Sequence, residues 1–284
     1  MLDPKLQFNN LETSADLKSC CAAVYESDWA RLLLGDSFHP GGLALTQQLG
    51  NLIDLQPGQR VLDVASGSGT SALFLAEHFG VDVVGIDYGR SAVAAANTAA
   101  NDASLADQVR FEVGDAEQLP FTDNSFDALL CECAFCTFPA KTAAATEFFR
   151  VLKPRGMLGF SDLTRNGRLP TELDSLLAWI TCIADAQPVE TYLELLQSAG
   201  FAVNQIENHD QALFHTVAAV RGKLLGAELL LKLKKIDLPG ADFQQARTVV
   251  RNAFEAIQQG KLGYILITAS SPSDNNSFPQ LLLS

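Results

Sequence analysis

The chain has 284 residues, and 48% of them are hydrophobic, which is enough for one large α/β domain. Its formal net charge of −13 at pH 7 argues against nucleic acid as a partner, and no apolar run is long enough to span a membrane. The amino-terminal stretch MLDPKLQFNN lacks the basic-then-apolar form of a secretory signal. We therefore expect a cytoplasmic protein with reduced cysteines and with neither nucleic acid nor a membrane as partner.

Short apolar runs alternate with helical stretches from about residue 60 to 162. The runs predict strands at 60–66, 81–87, 109–115, 126–132 and 157–163. Helical periodicity predicts helices at 71–79, 91–100, 141–152 and, further on, 188–201. Two more strands, at 202–208 and 263–270, flank a long helical insertion at roughly 210–259. This alternation predicts an α/β fold with a mostly parallel, doubly wound sheet.

The same pattern predicts four parts of the chain. Residues 1–50 form a helical lid segment, and residues 51–208 form the cofactor-binding core. Residues 209–271 contain the helical insertion and the last strand. The tail, 272–284, is rich in Ser, Asn and Pro and is predicted to be disordered.

The stretch VLDVASGSGT (61–70) is a predicted strand that ends in small residues and leads at once into a helix. Gly67 and Gly69 would let the backbone approach a ligand closely, and Ala65 stands where many such loops carry a third glycine. Asp87 ends the second strand, where a carboxylate can accept hydrogen bonds from two ribose hydroxyls. A dinucleotide enzyme also fits these features. Asp115, at the end of the third strand, is placed to accept from an adenine amine and favours a different cofactor.

With these motifs in order, the stretch 60–163 resembles a class I S-adenosylmethionine-dependent methyltransferase. The resemblance implies seven strands in the order 3-2-1-4-5-7-6, with strand 7 antiparallel, and cofactor binding without a metal. By position it places Asp63 and the Gly67–Gly69 loop beside the methionine part, Asp87 at the ribose, and Asp115 with the backbone of Ala116 at the adenine. The other expected contacts with S-adenosylmethionine are Ala65, Tyr88, Glu132, Tyr25 and Gly42.

The stretch CECAFCTF (131–138) contains three of the six cysteines. Core packing is the favoured interpretation for Cys131, which lies within a strand. Strand alternation would place Cys131 and Cys133 on the same side, and Cys136 follows in the loop. The spacing does not match the paired C-x-x-C of structural zinc sites, and a nucleophilic cysteine has no clear histidine partner. Capture of a thiophilic substrate by thiolates is the fourth interpretation.

A closer resemblance favours this fourth interpretation. The segments 13–21, 132–163 and 179–201 resemble the arsenite methyltransferases, which hold trivalent arsenic through cysteine thiolates and methylate its lone pair. The resemblance matches Cys133 and Cys182 to two pocket cysteines of that family, and Cys20 or Cys21 to a third. It also implies glutathione or thioredoxin as a possible reductant partner.

The chain departs from that family at Asp36, which stands where another family cysteine would be. A pocket with two thiolates would suit an already methylated arsenical, and Cys136 is a possible third ligand. The resemblance therefore leaves the acceptor open between arsenite, a methylated arsenical and another soft element.

Two other functions stay open at this point. One is an ordinary small-molecule methyltransferase that acts on an oxygen or carbon acid, as quinone-biosynthetic relatives do, with the cysteines as packing. Its candidate bases are His39, Glu132 and Asp162, since His78, His209 and His215 have no clear site. The other is a cofactor-binding protein that senses or sequesters a thiophilic metal without turnover.

Overall fold

A seven-stranded sheet forms the centre of the molecule. The computed structural model describes residues 13–14, 17–19, 22, 39–170, 173, 183, 185–233 and 243–273. Within these ranges the strands are Arg60–Val64 (β1), Asp82–Asp87 (β2), Val109–Val113 (β3), Phe126–Glu132 (β4), Leu152–Arg165 (β5), Ala202–Asn208 (β6) and Leu262–Ser270 (β7). Their order across the sheet is β3-β2-β1-β4-β5-β7-β6.

Strands β1 to β5 pair in parallel, whereas β7 runs antiparallel to both of its neighbours, β5 and β6. The strand order and the α/β class expected from the sequence are thus confirmed. The fifth strand is longer than predicted, because the preceding helix ends at Val151 and the chain enters β5 directly at Leu152. The pairing of β4 with β5 shifts register between Phe126 and Ala128.

Helices cover both faces of the sheet. In chain order they are Gly42–Leu52 (α1), Thr70–Phe79 (α2), Arg90–Asp102 (α3), Lys141–Val151 (α4), Val189–Ala199 (α5), Asp210–Lys232 (α6) and Phe243–Gln258 (α7). One core cluster joins the sheet to α1, α2, α3, α6 and α7, and a second joins the opposite face to α4 and α5. Because both faces of the sheet are buried, the central strands β1, β2 and β4 are mostly apolar, and their acidic residues lie at or near the strand ends.

The helical insertion that the sequence predicts between the last two strands consists of α6 and α7. The four-part division of the chain stays a prediction. Most of the expected lid segment, 1–50, and most of the expected tail, 272–284, lie outside the described residues. None of the described helices is long and apolar enough to cross a membrane.

Gly85, in the middle of β2, allows the sheet to pack closely against the glycine-rich loop. A Cβ atom at this position would lie 2.3 Å from Cδ1 of Phe111 and 2.7 Å from Oγ of Ser66. The strand interior at this point therefore has no room for a side chain, and the Ser66 turn sits directly over β2.

Replacing this glycine with alanine should lower the free energy of unfolding by about 1–3 kcal/mol, because a well-packed core must shift to admit the methyl group. Gly222→Ala is the matched control, since a Cβ at Gly222 in α6 meets nothing within 4 Å. The control should leave stability unchanged or raise it by up to about 1 kcal/mol, through helix propensity. Urea unfolding of both variants measures the difference, and equal effects would contradict the packing argument.

Candidate active site

A cleft opens at the carboxyl ends of β1 to β4, which is where parallel sheets bind ligands. It contains about 1360 Å³ of empty space, part of it open to solvent. Of the residues expected to hold a cofactor, those on its wall are Asp63, Ala65, Gly67, Asp87, Tyr88, Asp115, Ala116 and Glu132. Lys18, His39, Ser71 and Cys133 also line it. The sheet thus brings eight predicted cofactor residues from four strand ends into one cleft.

The glycine-rich loop between β1 and α2 takes a tight left-handed course. Ala65, Gly67 and Gly69 have φ values of 59°, 53° and 84°. A left-handed alanine costs about 1 kcal/mol, which explains why many loops of this kind carry glycine at the position of Ala65. Gly69 lies behind the wall: a Cβ there would come within 2.5 Å of the Phe111 ring, so this glycine serves close packing of the loop.

Asp87, at the end of β2, holds the loop in place. Its Oδ2 accepts a hydrogen bond from the backbone N–H of Gly67, and its Oδ1 accepts from the N–H of Gly89, both at 2.8 Å. The carboxylate also lies on the cleft wall. Each carboxylate oxygen can accept a second bond, so Asp87 can fix the loop and still bind a hydroxyl in the cleft.

Asp63, near the end of β1, is the most unusual acid of the site. It is only 3% exposed, and its Oδ2 has no hydrogen-bond partner among the described residues. Burial, followed by the charges of Glu132 and Asp87, raises the pKa of Asp63 well above its ordinary 3.8. A buried carboxyl oxygen without a partner costs stability and favours a ligand that brings a positive charge or a hydrogen-bond donor. The α-ammonium group of S-adenosylmethionine meets both requirements.

Asp115 follows β3 and is bound by a lysine from the amino-terminal segment. Lys18 donates to Oδ1 and Oδ2 of Asp115, at 2.9 and 2.7 Å, and to Oε2 of Glu117, at 2.5 Å. Burial alone would lower the pKa of Lys18, but the hydrogen bonds and charges of the two acids outweigh it and raise that pKa. A residue of the segment before the core therefore closes this end of the cleft.

Glu132, at the end of β4, belongs to a buried polar network. The hydroxyl of Thr46 lies 3.1 Å from both of its carboxylate oxygens, and Nε2 of His39 lies 3.7 Å from Oε2. The same His39 nitrogen is 3.4 Å from the hydroxyl of Ser71. The side chains of His39 and Glu132 are only 8% and 5% exposed, respectively. An acid and a histidine are thus held together at the cleft wall, on the side opposite Asp115 along the sheet.

The three cysteines of the 131–138 stretch have different surroundings. Cys131 is fully buried in the core cluster on the α4 and α5 side, in agreement with the packing interpretation. Cys133 is half-buried, lines the cleft and packs against the opposite cluster. Alternation wrongly placed these two on the same side, because β4 ends at Glu132 and Cys133 turns back in a left-handed conformation, with a φ of 53°.

Cys136 lies in a one-turn 3-10 helix, Phe135–Thr137, and is fully buried. Its backbone N–H donates to Oδ2 of Asp162 at 2.8 Å, and the other oxygen of Asp162 accepts from Leu163 at 2.7 Å. Both residues therefore support the loop after β4 from within the core. This position argues against Cys136 as a third substrate ligand and against Asp162 as a base.

The remaining residues named in the sequence analysis either lie outside the described residues or are not on the cleft wall. Cys20, Cys21, Tyr25 and Cys182 lie outside the described residues. Gly42 begins α1 but is not on the cleft wall, which His39 reaches from the same turn. His78 stacks on Phe74, and the other two histidines, His209 and His215, lie beside Glu207 and Phe214. These three histidines are away from the cleft.

Three site residues escaped the sequence analysis: Lys18, Thr46 and Ser71. Each comes from a different segment of the chain. Lys18 contacts Asp115, Thr46 contacts Glu132, and Ser71 contacts His39. Serine, threonine and lysine are common on helices, so their identity gave no signal. Among the described residues, no group of three or more His, Cys, Asp or Glu side chains could hold a metal ion.

Comparison with known proteins identifies the family. The model of a methyltransferase domain matches residues 55–215, more than half of the chain. The chain belongs to this methyltransferase family. The prediction of a methyltransferase is thereby confirmed, and the acids on the cleft wall fit S-adenosylmethionine as the methyl donor.

Relatives show how far the similarity extends. The chain is 38% identical over 162 residues to a phosphoethanolamine N-methyltransferase of Triticum aestivum. The aligned region covers 57% of this chain but only 31% of that protein. It is 29% identical over 217 residues to an arsenite methyltransferase of Halobacterium salinarum, covering 71% of this chain and 54% of the relative. The chain thus spans about a third to a half of the length of these two relatives.

A solved structure shows the same fold. Phosphoethanolamine N-methyltransferase 2 of Haemonchus contortus, in complex with phosphomonomethylethanolamine and S-adenosylhomocysteine, superposes with a TM-score of 0.76 at 20% identity. The match covers 90% of this chain and 60% of that one. At this identity the superposition bears on the fold, and the methyl acceptor must be inferred from the site itself.

The buried Asp63 generates a prediction about stability and pH. Because the folded-state pKa is raised, the folded protein binds this proton more tightly than the unfolded chain. Asp63 therefore destabilises the fold progressively as the pH rises from about 4 through its raised pKa. Asp63→Asn should raise the melting temperature of the ligand-free protein by about 2–4 °C at pH 8, with a smaller gain near pH 5. The same variant should bind S-adenosylmethionine more weakly.

Asp127→Asn is the control, for which the expected change in stability has the opposite sign. Burial alone would raise the pKa of Asp127, but hydrogen bonds from Lys153 and Arg60 lower it. That variant should lose stability above about pH 4. Thermal unfolding of both variants between about pH 4 and pH 8 tests these predictions. If Asp63→Asn is less stable than wild type at pH 8, the conclusion that the charged Asp63 destabilises the fold is wrong.

Proposed function

We propose that this protein transfers a methyl group from S-adenosylmethionine to a trivalent arsenical held by cysteine thiolates. One observation carries the proposal: Cys133 lines the cleft directly after Glu132, at the carboxyl end of β4. Strain at Cys133 supports a role in the site, because a left-handed cysteine is costly and such outliers cluster at functional sites.

We assign the cofactor along the cleft from the residues that its parts would need. Asp63 binds the α-ammonium group through its unpartnered oxygen, Asp87 binds the ribose hydroxyls, and Asp115 accepts from the adenine amine. Bound S-adenosylmethionine supplies an electrophilic methyl group on a positively charged sulfonium. The acids on the wall, Asp63, Asp87, Asp115 and Glu132, make the cleft attractive to such a cation.

Cys133 positions the arsenical so that its lone pair points toward the donor methyl. Thiolates are the preferred ligands of soft elements, and they hold the substrate without needing to remove a proton from it. Attack by the lone pair would break the carbon–sulfur bond of the donor, releasing S-adenosylhomocysteine, and would convert arsenic from the trivalent to the pentavalent state. A thiol reductant such as glutathione or thioredoxin would return the product to the trivalent form.

The second ligand is assigned from the sequence. Cys182 matches a pocket cysteine of the arsenite methyltransferases, as do Cys20 or Cys21, and a relative that carries the name arsenite methyltransferase is 29% identical over 217 residues. Because Asp36 stands in place of a further family cysteine in the amino-terminal segment, we assign the two thiolate ligands to Cys133 and Cys182. Such a set suits methylarsenite, which has one fewer exchangeable position than arsenite.

A second candidate function rests on the network around Glu132. The His39 and Glu132 side chains are buried together at the cleft wall, 3.7 Å apart, and Thr46 and Ser71 hold them in position. This pair could accept a proton from an oxygen or carbon acid. Under this alternative the cysteines serve packing, and the acceptor is an organic molecule.

Replacing Cys133 with serine tests the first function. The variant should lose about 100-fold or more in the rate of methylarsenite-dependent formation of S-adenosylhomocysteine, because the substrate is no longer held in line with the donor. Its affinity for S-adenosylhomocysteine should change less than about threefold, since the cofactor contacts lie elsewhere. Single-turnover assays with a thiol reductant measure the first quantity, and calorimetry measures the second.

Cys136→Ala is the matched control, because Cys136 is close in sequence but buried in the core. It should keep most of the arsenical-dependent activity. If Cys133→Ser is as active as the control, thiolate capture at this position is wrong. If wild-type protein binds the cofactor but turns over neither arsenite nor methylarsenite, organic acids become the acceptors to screen, with His39→Asn as the inactivating variant.

A further inference from the structure

Lys18 contacts the cofactor cleft from outside the core. It comes from the segment before the α/β core, yet it lines the cleft together with Ala22 and binds two acids that are 97 and 99 residues away in sequence. Its side chain is only 13% exposed. Residues 17–19 are helical, and the N–H of Leu17 bonds the carbonyl of Thr13 at 3.2 Å. The contact is thus made from the helical residues 17–19.

The hydrogen bonds of this ammonium group account for all of its protons. Two of them go to Oδ1 and Oδ2 of Asp115 and one goes to Oε2 of Glu117. A lysine ammonium has three protons, so Lys18 has none left to donate to a ligand. Lys18 therefore affects a ligand in the cleft only indirectly, by fixing Asp115 and Glu117.

The bonds to Asp115 leave a defined acceptor position. A carboxylate offers about four lone-pair sites. Oδ1 of Asp115 accepts from Lys18 and from the backbone N–H of Glu117 at 2.9 Å, while Oδ2 accepts from Lys18 alone among the described residues. One site on Oδ2 thus stays available to a donor in the cleft.

We propose that Lys18 is a positioning residue for the adenine end of the cofactor. It fixes the Asp115 carboxylate with one acceptor site available to the adenine amine, and it attaches residues 17–19 to that end of the cleft. This inference rests on the proposed placement of adenine at Asp115. Cofactor binding and the docking of residues 17–19 at the cleft are then coupled, because both depend on the same carboxylate.

The test measures binding of S-adenosylhomocysteine, without any methyl acceptor, to the full-length protein. Lys18→Met should weaken binding about tenfold, because it frees the segment and leaves Asp115 and Glu117 as unpaired neighbouring acids. Lys18→Arg should bind within about threefold of wild type, because a guanidinium can replace the ammonium between two carboxylates. The control is Lys153→Met, which breaks a salt bridge to Asp127 away from the cleft and should leave affinity unchanged.

Hydrogen exchange of the peptide that contains residues 13–22 provides a second measurement. S-adenosylhomocysteine should slow exchange of this peptide in wild type and Lys18→Arg but not in Lys18→Met. Equal affinity and equal protection in wild type and Lys18→Met would overturn the inference and leave the other assignments intact. A wild-type protein that does not bind S-adenosylhomocysteine would instead overturn the cofactor assignment itself.

Discussion

The site depends on one electrostatic constraint: four carboxylates lie together at the carboxyl ends of four neighbouring strands, in a cleft that is partly shielded from water. Three of them have partners within the described chain. Asp87 accepts from the glycine-rich loop, Asp115 is bound by Lys18, and Glu132 is held by Thr46 beside His39. Asp63 keeps one buried oxygen without a hydrogen-bond partner among the described residues, which favours a ligand that carries positive charge or donates a hydrogen bond.

This constraint connects the fold to the chemistry. A parallel sheet with a tight β1–α2 turn buries Asp63 and brings Glu132 and Asp87 close enough to raise its pKa further. A donor with a sulfonium and an ammonium group would relieve this repulsion. In the function that we propose, the methyl acceptor meets the donor at the Glu132 end of the cleft. Cys133 is placed at that end by the left-handed turn that follows β4.

Much of this arrangement could be predicted from the sequence, and the exceptions have clear physical causes. The strand ends and the positions of Asp63, Asp87 and Asp115 on the cleft wall follow from local patterns, because each acid lies at or next to the end of an apolar run. The strand order follows from the resemblance to the methyltransferases. The position of Cys133 relative to Cys131 does not follow, since a single backbone torsion overrides strand alternation. Lys18 could not be predicted, because its partners are almost a hundred residues away and depend on the path of the amino-terminal segment.

The buried network around Glu132 illustrates the same limit. His39, Thr46 and Ser71 come from the turn before α1, from α1 and from α2, and only the packing of those elements on the sheet brings them together. Sequence analysis named His39 and Glu132 as separate candidate bases, and the structure places them in one network. Whether this network moves protons or only orients side chains depends on the acceptor, which makes the ligand of the Cys133 thiol the decisive question.

Arsenic K-edge X-ray absorption on the protein with bound methylarsenite and S-adenosylhomocysteine tests the central claim most directly, because it reports the atoms bonded to arsenic. Two sulfur ligands in the wild-type protein, and one fewer in Cys133→Ser, are the result that thiolate capture predicts. A spectrum with only oxygen neighbours, or one that the substitution leaves unchanged, would contradict thiolate capture and favour an organic acceptor at the His39–Glu132 pair.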